Sequence, residues 1–343
     1  MTTDDRWILI VGYGSIGRRH FQNAQRLGWS DIRLLRTSRN RVGAFETPAG
    51  ARAYAELDSA ISDQPFAAIV ANPSSLHAMT ASRLLQARIP VLLEKPVSAT
   101  IEEARDVAAL AAECGIPCSV AYCFRYHPLY RSLHDLAAAG DLGRIFHARS
   151  WWASYLPSWH PWEDFRISYA ARPELGGGVV RTLDHEMDML RWLLGQPRSV
   201  IASAGSLGGL GLDVEDTADM IFRFETGVQA QCHVSFARRD LSRGMSLVGE
   251  RASATLDWSA GTLTVADDRS VLDQKRIPPD FDVNQIYTEM LHEALQNFGV
   301  AAPRAPIPVA DGVAALEMAL AALESSRMGT RISLIGVNDG KNG

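Results

Sequence analysis

The chain has 343 residues, more than one ordinary core holds and enough for two domains of roughly 100–200 residues each. Hydrophobic residues make up 47% and charged residues 21%, a composition that excludes a disordered chain. A net charge of -5, with no cluster of Lys and Arg, argues against a nucleic-acid partner but leaves small anionic ligands open.

Trp7–Val11 is a short apolar run rich in β-branched residues, as suits a strand buried on both faces of a parallel sheet. Gly12-Tyr13-Gly14-Ser15-Ile16-Gly17 follows, a G-x-G-x-x-G turn, and then a helical stretch over Arg18–Leu27 that ends at Gly28. Strand, turn and helix in this order point to a dinucleotide site: Gly12 for the tight turn, Gly14 for close approach of a pyrophosphate, Gly17 for helix–strand packing. The free N–H groups at the helix start would face the phosphates. The next strand, Ile32–Leu35, ends in Arg36-Thr37-Ser38-Arg39 instead of the acid that would bind a ribose 2′-hydroxyl. Arginine and hydroxyls suit a 2′-phosphate, so NADP is favoured over NAD.

Phe66–Ala71 reads as a strand, Asn72-Pro73-Ser74-Ser75 as a turn, and the residues through Leu85 as a helix. Pro90–Leu93 is a strand ending in Glu94-Lys95-Pro96; Ile101–Cys114 is a helix capped by Thr100; Pro117–Ala121 is a further strand. Ligands of doubly wound sheets lie at the carboxyl ends of strands, where Gly12–Gly17, Asn72-Pro73 and Glu94-Lys95-Pro96 all fall. From residue 144 onward strand-like runs dominate: Ile145–Trp152, Val200–Ala204, Thr217–Phe224, Gly227–Phe236, Arg243–Val248, Ala252–Asp257 and Thr262–Ala266. Helices are expected over about 179–194, near Val283–Phe298 and near Asp311–Arg327. The expected organisation is a Rossmann domain over residues 1–123 and an α+β substrate-binding and oligomerisation domain over residues 124–343.

Taken together, G-x-G-x-x-G at 12–17, Asn72-Pro73 with His77, Glu94-Lys95-Pro96, Tyr122-x-x-Arg125-Tyr126-x-Pro128, and Gly176-Gly177-Gly178 followed by His185, Asp188, Arg191, Trp192 and Gly195 resemble the Gfo/Idh/MocA family. That resemblance implies an NAD(P)-dependent oxidoreductase of sugars, inositols or related polyols. It also implies a second domain with an open, mostly antiparallel sheet, and a homodimer or homotetramer. The segment from Tyr155 to Gly178 resembles a branch associated with cell-surface sugar biosynthesis, which brings nucleotide-linked sugars among the substrates. An NAD-dependent inositol or polyol dehydrogenase, and a non-catalytic sensor of dinucleotide and sugar, are the alternatives.

Reduction of a ketone needs a hydride at carbon and a proton at oxygen, so the protein must supply a positioned proton donor. Lys95 and His185 are the candidates, His185 sharing a helix face with Asp188 and Trp192. In the branch resembled, an aspartate lies three residues before the histidine, or four in the longer family pattern; here Thr182 and Arg181 stand there. Asp184 remains as the nearby acid, immediately before His185 and about 100° round a continuous helix from it. Aromatic rings cover the C–H faces of pyranoses, which makes Trp152 and Trp162 candidate sugar contacts, with Arg125, Tyr126, Arg166 and Arg181 as polar partners. Trp151 and Trp152, adjacent in a strand, point to opposite faces.

No C-x-x-C pair occurs among Cys114, Cys118, Cys123 and Cys232, and no histidine lies at a zinc-like spacing, so neither metal nor disulfide is expected. The first residues lack the basic start of a signal peptide, and no apolar run reaches the ~20 residues of a membrane span. A cytoplasmic protein without membrane contact is expected.

Overall fold

The computed structural model describes residues 6–36 and 46–334. Contacts divide the chain into two compact units, the first formed by Met1–Cys123, Glu174–Gly176 and Asp282–Val313, the second by Phe124–Pro173, Gly177–Phe281 and Ala314–Gly343. This differs from a single cut after residue 123: a late segment returns to the first unit. Helix α8 (Asn284–Phe298) buries Ile286, Met290, Leu291, Ala294, Leu295 and Phe298 and packs on the first helix, α1 (Ser15–Arg26). The amides of Asn23 and Asn284 bond each other at 2.7 and 3.3 Å, and Val120 N–H donates to Ile307 O at 2.9 Å. An apolar helical stretch does not state in its own sequence which core it completes.

The first unit holds a six-stranded, wholly parallel sheet. Its strands are β1 (Ile8–Val11), β2 (Ile32–Leu35), β3 (Ala53–Tyr54), β4 (Ala67–Val70), β5 (Val91–Leu93) and β6 (Cys118–Val120), in the spatial order β3-β2-β1-β4-β5-β6. All four residues of β1 are buried, as expected for a strand covered on both faces. Helices α2 (Leu57–Ser62), α3 (His77–Gln86) and α4 (Ile101–Cys114) complete the unit with α1 and α8. The Thr100 hydroxyl accepts from Glu103 N–H at the start of α4, and Gly115 closes that helix at φ 63°. Strand order reverses between β1 and β4, the place where such sheets bind ligands.

The second unit is built on a nine-stranded sheet of β7 (Ile145–Tyr155), β8 (Pro197–Gly205), β9 (Thr217–Phe224), β10 (Gln229–Ser235), β11 (Ala237–Gly249), β12 (Ser253–Asp257), β13 (Thr262–Ala266), β14 (Val271–Arg276) and β15 (Ile332–Ser333). Their order is β14-β13-β12-β11-β7-β10-β9-β8-β15, antiparallel except where β10 runs parallel to β7. One face is covered by α5 (Pro128–Ala138), α6 (Val179–Thr182) and α7 (His185–Leu194), and buries Ala218, Met220, Phe222, Ala230, Cys232, Val234, Met245 and Leu247. The opposite face carries Asp219, Ile221, Arg223, Gln231, His233, Arg149 and Trp151 at exposed or half-buried positions. Period-two alternation thus assigns the two faces.

The single helix expected over 179–194 is instead two. The chain turns at Leu183 (φ -101°, ψ 30°) and restarts at Asp184, whose carbonyl accepts from Met187 and Asp188 N–H. Glu215 holds the first piece: its carbonyl takes Val179 N–H at 3.0 Å and its carboxylate takes Val180 N–H at 3.2 Å. The angular relation expected between Asp184 and His185 on a continuous helix therefore does not apply.

Candidate active site

In the first unit, the glycine turn is shaped by hard contacts. Gly12 has φ +91°, and a Cβ there would lie 2.7 Å from Ala71 O; a Cβ on Gly17 would lie 2.1 Å from Gly12 O. At Gly14 a Cβ would meet nothing within 4 Å, so its backbone faces open space at the start of α1. Two glycines closing the turn against β4 and one left open at a helix N-terminus fit a pyrophosphate cradle. Tyr13 is buried, edge-on to Phe21, with its hydroxyl pKa pushed up by burial against the pull of Arg18 and Arg36. The Arg36 guanidinium lies 5.9 Å from the Tyr13 ring centroid and donates to Thr47 Oγ1 at 2.6 Å. The remaining residues of that expected phosphate site, Thr37, Ser38 and Arg39, lie outside the described residues.

The ends of β4 and β5 are fastened side by side. Glu94 N–H donates to Val70 O at 2.9 Å. His77, a candidate for cofactor contact, is 2% exposed and turned inward: Nδ1 lies 2.7 Å from Pro96 O and Nε2 2.8 Å from Asn72 O. Its ring lies between the two strand ends, within hydrogen-bond distance of a carbonyl from each, and burial pulls its pKa down. Asn72 donates from Nδ2 to Thr80 Oγ1 at 3.0 Å. Glu94 is also buried, paired with His20 at 2.7 Å, while Lys95 is half-buried beside it and joined to Pro96 by a cis peptide.

In the second unit, His185 begins α7 and is 4% exposed. Phe124 stands edge-on to its ring at 4.7 Å between centroids, and Trp152 lies at 6.2 Å. Trp152 and Trp159 stack at 6.4 Å, and Trp159 Nε1 donates to Ser154 Oγ at 3.1 Å. Beneath these rings is a buried cation, Arg243, whose Cζ lies 3.5 Å from the Phe124 centroid and 4.0 Å from that of Trp152. Arg243 pairs with Glu186 at 2.6 Å, and Glu186 also accepts from the Ser150 hydroxyl. Desolvation pushes the Glu186 pKa up, opposed by Arg243. Neither Arg243 nor Glu186 stood among the sequence candidates. The signal was present: alternation along β11 puts Arg243 on the same inward face as Met245 and Leu247, where a charge demands a partner.

Asp188 is fully buried and bonded by Arg125, Nε at 3.0 Å and Nη2 at 2.5 Å. Arg125 is thus committed to the protein, with its guanidinium 5.7 Å from the Trp192 ring. Tyr126 is buried under Arg131. Trp162 is 69% exposed and stands beside His160, and Arg166 pairs with Asp164 on the surface. Trp162 and Arg166 therefore stand on the surface and are not among the rings packed around His185. Thr182, Asp184 and His185 are all buried, and Arg181 is half-buried within the field of Glu215. Trp151 and Trp152 do face opposite sides, Trp151 resting on Gly244. Among the described residues no group of three or more His, Cys, Asp or Glu could hold a metal, and no helix is long and apolar enough to cross a membrane.

A six-stranded Rossmann sheet with an open glycine cradle, joined in sequence to a large open sheet, defines a dinucleotide-binding class of protein. Residues 7–122 match the model of the oxidoreductase family with NAD-binding Rossmann fold, and residues 130–255 match the GFO/IDH/MocA C-terminal domain. The chain belongs to the GFO/IDH/MocA family of NAD(P)-dependent oxidoreductases. It is 28% identical to 1,5-anhydro-D-fructose reductase of Ensifer adhaerens, over 95% of this chain and 97% of that one. It is also 28% identical to the rhizopine catabolism protein MocA of Rhizobium meliloti, over 92% and 93%. Levoglucosan dehydrogenase, solved with NADH and levoglucosan, shares the fold at TM-score 0.83 and 18% identity, covering 96% of this chain and 100% of that one.

Proposed function

We propose that this chain is an NADP-preferring oxidoreductase of a sugar or keto-sugar, nucleotide-linked sugars included. The observation that carries it is the open position at Gly14, a few residues from Arg36 across the β1–β2 pairing and one strand from β4. Gly12–Gly17 would hold the pyrophosphate, and Arg36, with Arg18 acting on the same Tyr13 hydroxyl, would meet a 2′-phosphate. Bound there, the nicotinamide supplies or accepts the hydride. Lys95 would hold or donate the proton at the substrate oxygen, and His185 would exchange it. Phe124 and Trp152 hold the His185 ring by packing, an orienting device that needs no carboxylate at position 182. The names of the relatives, a reductase of an anhydro-sugar above all, support the substrate class.

The test is turnover of a keto-sugar panel with NADPH and NADH, followed by nicotinamide absorbance. Lys95→Ala and His185→Ala should each abolish turnover while leaving dinucleotide binding intact. Unimpaired turnover in either variant removes that residue from the proton path. A homodimer or homotetramer is proposed through the open face of the nine-stranded sheet, where Trp151, Ile221 and Ile201 stand among polar neighbours. Light scattering showing a monomer at micromolar concentration overturns it. Four free cysteines, three of them buried, support a reducing cytoplasmic setting.

A further inference from the structure

The geometry points to His20 as a positioning residue that sets Lys95 through Glu94, an inference that rests on the proposed proton role of Lys95. Helix α1 is amphipathic, yet His20 and Asn23 on its inward side are both fully buried. A buried imidazole is costly unless it is hydrogen-bonded. His20 Nε2 meets Glu94 Oε1 at 2.7 Å, and the other oxygen of the same carboxylate accepts the Lys95 backbone N–H at 3.3 Å. The carboxylate therefore spans from the dinucleotide helix to Lys95 itself. His20 lies three residues after Gly17, one turn along the helix whose first N–H groups face the phosphate cradle.

On its other side Lys95 is followed by Pro96, whose carbonyl is gripped by His77. Two buried histidines thus hold the residues flanking Lys95, His20 from α1 and His77 from α3. Tyr287 of α8 lies within the field of Glu94: its hydroxyl pKa is driven far up by burial, with Cys123 and Glu94 adding to the rise. Arg19 lies over the Tyr287 ring at 4.3 Å. Lys95 and the cofactor helix are thus linked through a single carboxylate. His20 touches no reacting atom; its work is to keep the ammonium stem at a fixed place relative to the phosphate cradle.

The chain contains only three lysines, Lys95, Lys275 and Lys341, which makes competitive acetylation with acetic anhydride and peptide mass spectrometry a direct probe of Lys95 placement. Lys275, exposed on β14 and within reach of the Ser132 hydroxyl, is the internal reference. In the whole 343-residue chain, His20→Leu should raise the Lys95-to-Lys275 labelling ratio roughly five- to ten-fold, as loss of one charge-assisted hydrogen bond would. His20→Gln, which still offers an N–H to Glu94, should stay within about two-fold of the native ratio. Glu94→Ala should raise the ratio like His20→Leu, and the double variant should add nothing further, because both act on one link.

A native labelling ratio in His20→Leu overturns the proposal, as do additive effects of the two substitutions. A merely structural His20 would lower the melting temperature without moving the ratio. Should His20→Leu fail to fold, the Glu94→Ala and His20→Gln pair still decides: an unchanged ratio in Glu94→Ala overturns the link. Labelling reports where Lys95 sits, whereas turnover of Lys95→Ala reports what it does, so the two readings fail separately.

Discussion

Alanine at Gly14 and alanine at Gly17 should have opposite consequences, although the two glycines belong to one motif. At Gly17 the added carbon would lie 2.1 Å from Gly12 O, about 1.3 Å inside the 3.4 Å at which ordinary contact begins. Both partners are backbone, so the turn and α1 must separate, at a cost of ~1–3 kcal/mol. For a chain of 343 residues that lowers the melting temperature by roughly 1–4 °C. At Gly14 the backbone is extended (φ -78°, ψ -164°) and a Cβ meets nothing within 4 Å. The loss of a good N-cap residue is offset there by the lower chain entropy of alanine, each worth about 0.5–1 kcal/mol. Stability should therefore stay near native. A methyl group in that open space would hold a pyrophosphate away from the first turn of α1 and remove one charge-assisted hydrogen bond or more, roughly 10–100-fold in affinity. Thermal melts and NADH fluorescence titrations on the same samples measure both effects. If Gly14→Ala bound NADH as the native chain does, or melted as early as Gly17→Ala, the cradle would be a structural turn and the argument would fail.

Arg36→Asp should weaken NADPH by roughly 10–100-fold and leave NADH near native, measured by the same titration; equal native affinities for the two cofactors refute the preference. Removing one partner of the buried Arg243–Glu186 pair should destabilise strongly: Arg243→Met strands a buried carboxylate and should cost ~3–5 kcal/mol in urea unfolding, whereas adding Glu186→Gln should recover much of it. His127 is held neutral by burial and by the charge of Arg243, its pKa brought down to about 3. Its folded-state pKa lies below the ordinary 6.5, so its contribution is complete above that pH and is lost as pH falls from 6.5 through about 3. His127→Phe, which keeps the stack on Trp258, should therefore flatten the acid limb of stability against pH; an unchanged limb assigns it to other groups.

Much of the first unit was legible because a parallel strand and its turn are local facts. Ile8–Val11 is apolar throughout since both faces are covered, and Gly12–Gly17 carries its geometry in residues five apart. The strands of the second unit were legible through period-two alternation, and Thr217–Phe224 and Thr262–Ala266 have the expected bounds. The two-residue β3, the fully exposed β14 and the opening helix α5 were not foreseen, as they carry little periodic signal or are too short to show one.

What the sequence by itself determined is the chemistry available: a glycine turn after a buried strand, an arginine where an acid would bind a ribose, a lysine at a strand end and a histidine after three glycines. Tertiary structure decided which of these groups are occupied by the protein. Arg125 turned out to be spent on Asp188, and His77 on two carbonyls. Trp162 was lifted into solvent, while Arg243 and Glu186 were placed under the rings that hold His185. The reason is that a buried charge or imidazole must find its partner, and those partners lie 63, 57 and 74 residues away for Arg125–Asp188, Arg243–Glu186 and His20–Glu94. No local pattern records a pairing made across that distance.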